Sequence, residues 1–225
     1  MKFISRKEYS VLAGLFLAAA TVSPARVQGQ LAVYNFNSTT TPLAPSTVGS
    51  GITAGNISFN SITGYSWFWS EPSGLGVLQL NPGTGVNTAA EAISSSMDFS
   101  FTLSSATPMN LSSLTLDGAV GAPWDAPAGY AVESSVDGYS SILSTANFTA
   151  VQPTFATYTI NLTGAAFQGL STITFQIYGY TANYGYEEFD NITVNSTVVP
   201  EPSALALAGI GMAALVRLMA SRCRN

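Results

Sequence analysis

The amino-acid sequence predicts an all-β fold, and the arrangement it favours is an antiparallel two-sheet jelly-roll sandwich. Charged residues make up only 8% of the 225 positions, so few solvated helix faces can be built, and Ser, Thr, Gly and aromatic residues fill the central part of the chain. Short stretches of alternating apolar and polar residues recur there, separated by Gly, Pro, Asn and Ser. This pattern is typical of short strands joined by turns. An immunoglobulin-like sandwich is the alternative architecture.

The N-terminal segment, residues 1–29, is predicted to be a secretory signal peptide. Basic residues at positions 2, 6 and 7 precede an apolar stretch at residues 11–22, and small residues follow it. This is the order found in signal peptides, and the stretch is shorter than the about 20 apolar residues that a membrane-spanning helix needs. Cleavage is expected after Ala25 or after Gly29, and the second site is preferred.

Residues 30–198 are predicted to form the β-sandwich domain. A loop rich in Thr, Pro, Ser and Gly is expected at residues 38–51, and one helical turn is conceivable at residues 88–94. The strand candidates share short length and alternating or continuous apolar character, and they lie at residues 31–37, 52–59, 65–69, 76–80, 97–103, 111–116, 130–136, 155–162, 173–178 and 189–194.

The C-terminal segment, residues 199–225, contains an apolar run at residues 204–216 and ends in a basic tail. As a helix this run is about 20 Å long, shorter than the roughly 30 Å hydrocarbon core of a bilayer. It nearly reaches a span if Arg217 extends its charged head to the interface, and the two arginines beyond then form a cytoplasmic flank. The sequence therefore predicts a short transmembrane helix that is suited to temporary retention in the membrane.

Basic residues are confined to the two terminal segments. Residues 31–199 contain no Lys, Arg, His or Cys and carry ten acidic residues, which gives this part of the chain a formal charge of −10. Nucleic-acid binding is excluded as a function, because phosphate neutralisation needs Lys or Arg. Ser-His-Asp and Cys-His catalysis, Schiff-base chemistry and His-ligated metals are excluded for lack of the residues. Only carboxylate chemistry remains, and we expect no enzyme activity.

The C-terminal segment resembles a known sorting signal. The sequence Val-Pro-Glu-Pro-Ser at residues 199–203, the short apolar helix and the arginine-containing end are similar to the PEP-CTERM signal of Gram-negative, exopolysaccharide-producing bacteria. In that family a membrane-embedded exosortase recognises the tripeptide and removes the helix and the tail. The resemblance implies that Pro200, Glu201 and Pro202 are recognition residues of an exosortase substrate. A simple C-terminal membrane anchor is the alternative.

The central part carries a second resemblance. Its segments at residues 32–37, 130–139, 175–180 and 189–194 are similar to the jelly-roll domain often found ahead of this signal. Such domains resemble carbohydrate-binding modules and concanavalin-like lectins in shape. This chain has Glu133 and Gln176 where relatives often place Arg.

Six aromatic residues are candidates for glycan contact. Trp67 and Trp69 lie two residues apart on a predicted strand and therefore on the same side of a sheet, where they form either a stacking platform for sugar rings or part of the core. Trp124 follows a proline in a turn next to an acidic residue, which makes complete burial difficult. The remaining candidates lie in one Gly- and Asn-containing loop, and they are Tyr180, Tyr184 and Tyr186.

Acidic residues near the end of the domain suggest a structural calcium ion. Carboxylates, carbonyls and Asn side chains are the ligands that calcium prefers, and strand alternation places Glu188 and Asp190 on one face with Glu187 on the other. A solvated acidic strand end is the expectation favoured over calcium, and a hydrogen bond between Asp190 and nearby backbone groups is a further alternative. Hydrolysis of a glycosidic bond needs two carboxylates about 5–9.5 Å apart, and the scattered acids offer no obvious pair.

Two functions therefore remain. The favoured one is a non-catalytic exported protein of the cell surface or extracellular matrix that is associated with exopolysaccharide and processed at its C-terminal motif. The alternative is a carbohydrate-binding module whose Trp and Tyr residues stack on a defined glycan.

Overall fold

A computed structural model describes residues 28–38, 40–62, 64–70, 75–81, 85–122, 126–182 and 185–197, without the side chains of residues 28, 64–70 and 75. These residues belong to one compact unit, Gln28–Thr197. Within them the chain forms, in order, β1 (Gln28–Tyr34), β2 (Thr47–Val48), β3 (Ile52–Ala54), β4 (Ser58–Phe59), β5 (Gly64–Ser70), β6 (Leu75–Asn81), α1 (Ala89–Ser94), β7 (Asp98–Met109), β8 (Leu111–Val120), β9 (Ala128–Ser134), β10 (Ser144–Asn147), β11 (Ala156–Asn161), β12 (Leu170–Thr181) and β13 (Glu187–Thr197).

The strands form two antiparallel sheets. Sheet A has the order β11-β8-β13-β1-β2, and β6 pairs with the first residues of β13 on the same side as β1 while β5 pairs with β6. Sheet B has the order β10-β9-β12-β7-β3, and β4 pairs with β7 next to β3. The predicted all-β, two-sheet jelly-roll sandwich is therefore confirmed.

The core lies between the sheets and is dominated by aromatic rings. Phe99 of sheet B meets Phe189 of sheet A edge to face at 5.3 Å between ring centroids, and Tyr34 of sheet A lies 4.8 Å from Phe101 of sheet B. All four rings are almost completely buried. Large aromatic side chains supply much of the apolar area that a domain without disulfide bonds has to bury.

The first and last described strands lie side by side. Gln28 is registered with Thr197 at the start of β1 and the end of β13. The N- and C-terminal ends of the compact unit are therefore cross-strand neighbours. The predicted signal peptide, apart from residues 28 and 29 of β1, and the predicted sorting signal lie outside the described residues.

Each predicted strand segment coincides with at least one strand, but three features differ from the prediction. No strand was predicted where β10 lies. The predicted strand at residues 52–59 is divided into β3 and β4, because Gly55 and Ile57 donate backbone hydrogen bonds to Thr102 and Leu43 and the chain bends between them. The predicted loop at residues 38–51 contains the short strand β2. The helical turn expected at residues 88–94 is the helix α1.

Candidate functional site

The outer surface of sheet A is a regular array of polar side chains, which we call face A. Leu114 and Leu116 of β8 point into the core, so the alternate residues of β8 and their cross-strand neighbours on β11 and β13 point outward. The array consists of three rows: Asn161, Ser113 and Asn195; Thr159, Thr115 and Thr193; Thr157, Asp117 and Asp190. Side chains on the edge strand β11 are exposed, whereas Ser113 of β8 and Thr193 and Asp190 of β13 are buried.

Two aspartates face each other in the last row of face A. The side-chain amide of Asn191 joins them, because its Nδ2 donates to Asp190 at 3.1 Å and to Asp117 at 3.0 Å. Asn191 has a left-handed backbone (φ 46°) next to a register shift in β13, and its backbone N–H donates to Asp190 Oδ1 at 2.7 Å. Burial raises the pKa of Asp190 to about 7, and the nearby Asp117 adds to this effect while the backbone hydrogen bond opposes it.

The acidic strand end is buried, so the expectation of a solvated one is wrong. Glu187 and Glu188 are 0% exposed and Asp190 is 6% exposed. The predicted alternation is confirmed. Glu188 pairs with Ala119 and accepts a hydrogen bond from Gln79 at 3.2 Å on the outer side, whereas Glu187 lies on the core side. There its carboxylate fills the space that a Cβ at Gly179 would need.

Calcium binding by Glu188 and Asp190 stays a prediction. In the described part of the chain, no group of three or more His, Cys, Asp or Glu side chains is arranged to hold a metal ion. The hydrogen bond between Asp190 and the Asn191 backbone is the arrangement that the alternative expectation named.

The outer surface of sheet B, which we call face B, is divided into a covered and an open half. Helix α1 covers one half, where Val86 and Ala92 pack against Ala131, Tyr178 and Tyr180 in a second small apolar cluster. Thr88 caps the helix and accepts a hydrogen bond from the Glu91 backbone. The open half carries polar side chains, which are Thr53, Ser58, Ser100, Thr102, Ser104, Thr172, Thr174 and Gln176.

Acidic and amide groups lie where the two halves of face B meet. The Tyr178 hydroxyl lies 2.9 Å from Glu133 Oε2 and 3.1 Å from Gln176 Oε1, and both oxygens are acceptors for its O–H. Asn60 donates to the buried Asp98 at 3.2 Å. Burial raises the pKa of Asp98, and the charge of Glu133 adds to the shift.

Tyr180 is the predicted glycan contact whose surroundings are described most completely. Its ring is 5% exposed and lies over Gly129, where a Cβ would overlap the phenol. Its hydroxyl donates to Asn147 Oδ1 on β10 at 2.8 Å, and burial under α1 raises its pKa. The ring is thus packed within face B rather than presented to solvent.

The other predicted aromatic contacts are less fully described. Trp67 and Trp69 lie on β5, registered with Leu78 and Gly76, and their side chains are outside the described part. Trp124 and Tyr184 lie outside the described residues, as do Pro200, Glu201 and Pro202. Tyr186 is 41% exposed in the segment that leads into β13. Sequence reasoning missed Tyr178 and Asp98, whose roles depend on the register of sheet B.

The comparison with protein families concerns the C-terminal segment. Residues 198–222 match the PEP-CTERM protein-sorting motif. The motif marks the chain as an exported protein that is transiently anchored in the membrane, and it implies processing by an exosortase. A search of curated proteins found no significant match. Among the described residues, no helix is long and apolar enough to cross a membrane.

Several solved structures are similar to the chain in overall arrangement. A sugar-binding protein of Bacteroides thetaiotaomicron, described as putative, has a TM-score of 0.45 at 10% identity, and the match covers 64% of this chain and 89% of that one. The K1 cleaved adhesin domain of Lys-gingipain from Porphyromonas gingivalis has 0.41 at 14% identity, covering 75% and 97%. The CBM22-1 xylan-binding domain of Xyn10C from Paenibacillus barcinonensis has 0.39 at 16% identity, covering 78% and 99%. At these values, nothing about the ligand of this chain follows from the likeness.

Proposed function

We propose that the chain is a non-catalytic protein of the cell surface or extracellular matrix that associates with exopolysaccharide through the polar outer faces of its sandwich. The observation that supports this proposal most directly is the composition of those faces. Face A and the open half of face B present hydroxyl and amide groups from several adjacent strands. Such groups both donate and accept hydrogen bonds, as the hydroxyls of a polysaccharide do.

The charge of the exported part supports a neutral polymer as partner. Residues 31–199 contain no basic residue, so a carboxylate or sulfate group on a polysaccharide would find no cationic partner there. Hydrogen bonding with neutral hydroxyls carries no such charge penalty. Many weak contacts along a repeating polymer add up through multivalency, so the individual contacts need not be strong.

A non-catalytic role is supported by the way the carboxylates are engaged. The pair Asp117 and Asp190 is joined by Asn191, and Glu133 is held by Tyr178. These neutral donors account for the carboxylates as parts of the fold. We therefore expect no release of reducing sugar from the polysaccharide by the purified protein.

The experiment is affinity electrophoresis of the processed protein through gels that contain the exopolysaccharide of the producing bacterium. One double variant, Thr115→Val with Thr159→Val, removes hydroxyls from face A, and another, Thr102→Val with Thr174→Val, removes them from face B. Each lost hydrogen bond contributes about 0.5–1.5 kcal/mol, so the double variant of the contacting face is expected to bind about tenfold more weakly. Thr154→Val, at an exposed loop position, is the control. An unretarded wild-type protein would contradict the proposal.

The alternative, a module that stacks a defined glycan on aromatic rings, is favoured by one described residue. Tyr186 exposes 41% of its surface, more than the buried Tyr178 and Tyr180. Saturable binding of one glycan from an array, abolished in Tyr186→Ala or in Trp124→Ala, would support this alternative over a diffuse association.

A further inference from the structure

A polar pocket lies at the rim of face A, in the connection between β1 and β2. It has a volume of about 340 Å³ and is formed by residues 35–38, 41, 42 and 44–46, all uncharged. Ligand pockets in proteins usually measure about 300–1,000 Å³, so this one suits a ligand of one or two sugar rings. Pro45 contributes apolar C–H surface, Pro42 lies buried at the pocket wall, and amide and hydroxyl groups contribute the polar part.

The pocket is continuous with face A. Val33 is registered with Thr193 in the middle row of that face and with Thr47 of β2. Ser46 ties the end of the β1–β2 connection to β1. Its backbone N–H and its hydroxyl both donate to the Val33 carbonyl, at 2.7 and 3.0 Å. The pocket therefore lies close to the middle row of face A.

Both asparagines of the pocket are held by their oxygens. Asn35 Oδ1 accepts a hydrogen bond from the Asn37 backbone at 3.3 Å, and Asn37 Oδ1 accepts one from the Gly76 backbone at 2.6 Å. Gly76 is packed so tightly against the Phe36 carbonyl that a Cβ would overlap it. In the described part of the chain neither Nδ2 has an acceptor, so two amide donors at fixed side chains are left for a ligand.

The backbone between the two asparagines is itself unusual. Phe36 has a left-handed backbone (φ 52°), an uncommon conformation for a residue with a large side chain, and its ring is 2% exposed in the core. The buried ring anchors the bend, and the bend brings both asparagines to the same pocket. Strained backbone that the surrounding structure enforces is frequent at binding sites.

We infer that this pocket is a subsite for one neutral sugar residue of the polysaccharide, bound through the Asn35 and Asn37 amide donors. The inference rests on the proposed function and specifies its ligand class. Sugar hydroxyl oxygens accept from the two amides, and the apolar face of the ring packs on Pro45. A uronic acid or sulfated sugar is disfavoured, because residues 31–199 contain no basic residue to neutralise it.

The test uses single substitutions that exchange only the donor. Asn35→Asp and Asn37→Asp keep the oxygen that accepts the internal hydrogen bond and replace Nδ2 by a carboxylate oxygen. Asn56→Asp, at an exposed position outside the pocket, adds the same charge and serves as the matched control. Binding of the processed proteins is measured on an array of neutral oligosaccharides with polygalacturonate oligomers, and thermal unfolding verifies that each variant is folded.

We expect the wild-type protein and Asn56→Asp to bind a neutral oligosaccharide equally, and each pocket variant to lose about tenfold or more in affinity, since a donor is lost and charge is introduced. Three results would overturn the inference: unchanged binding by both pocket variants, preferential binding of polygalacturonate, or no binding of any neutral oligosaccharide. Retention of the wild-type protein by exopolysaccharide in each of these cases would leave the proposed function standing. If the exopolysaccharide does not retain the wild-type protein, both the inference and the proposed function are contradicted.

Discussion

The outer faces of the two sheets are made of the same residue types but lie in different environments. Face A is open at its edge strand and has two of its acids, Asp117 and Asp190, in one row with the exposed Thr157. Face B has one half sealed by α1, with Asp98 and Glu133 at the border of the sealed area. A helix of only six residues thus turns half of a polar sheet surface into a second small core.

The difference shows how a domain without basic residues can bury acids. On face A an asparagine in a left-handed backbone conformation donates to both carboxylates, and on face B a tyrosine hydroxyl and an asparagine amide donate to one carboxylate each. Neutral donors satisfy the oxygens but do not cancel the charge, so desolvation still raises the pKa of Asp190 and of Asp98. Both faces are therefore expected to respond to pH.

The largest expected contrast between the faces follows from Tyr180→Ala. The ring is buried beneath α1, and truncation of a buried aromatic ring costs about 3–5 kcal/mol in the free energy of unfolding. Thr159→Ala, on the open edge of face A, is expected to change it by less than about 0.5 kcal/mol. Urea unfolding of both variants measures the difference. Equal effects would show that the helix does not seal face B.

Local sequence patterns located most elements of the fold, but not the short strands β2 and β10. Alternation placed Glu188 and Asp190 on the side opposite Glu187. The helix α1 follows Thr88, whose capping hydrogen bond with the Glu91 backbone is a local signal. These features depend on residues within a few positions of one another, which is the range over which sequence patterns carry information.

The environments of the side chains could not be predicted in the same way. Asp117 and Asp190 become neighbours through the register of β8 and β13, and Tyr178 meets Glu133 through the register of β12 and β9. Glu187 is buried because Gly179, on the opposite sheet, leaves room for its carboxylate. Each contact joins distant parts of the chain, so a short acidic stretch was wrongly expected to be solvated.

The pH dependence of stability provides the second contrast. Because the pKa of Asp190 is about 7 in the folded protein and about 3.8 in the unfolded chain, the folded state binds a proton between these values that the unfolded state releases. The free energy of unfolding should therefore fall by about 2–4 kcal/mol between pH 4 and pH 7 and should level off above.

Asp190→Asn is expected to remove most of this decline, and the double variant with Asp98→Asn should remove the part that face B contributes. Asp137→Asn is the control, because its hydrogen bond from Ser141 lowers the pKa of Asp137 and places its titration below this window. Urea unfolding at a series of pH values measures the slopes. A wild-type slope that persists in the double variant would show that neither acid is responsible.

The smallest expected effect concerns the helix that distinguishes face B from face A. Thr88→Ala removes the side-chain acceptor for the Glu91 backbone N–H, and loss of such a cap costs about 1 kcal/mol. Thr88→Ser keeps the hydroxyl and should restore most of the stability. Because Ala92 of α1 packs in the cluster with Tyr178 and Tyr180, fraying of the helix should also speed hydrogen exchange at Ala92, whose N–H donates to the Thr88 carbonyl. If exchange at Ala92 stays unchanged in Thr88→Ala while stability falls, the cap stabilises the chain without holding the helix on face B.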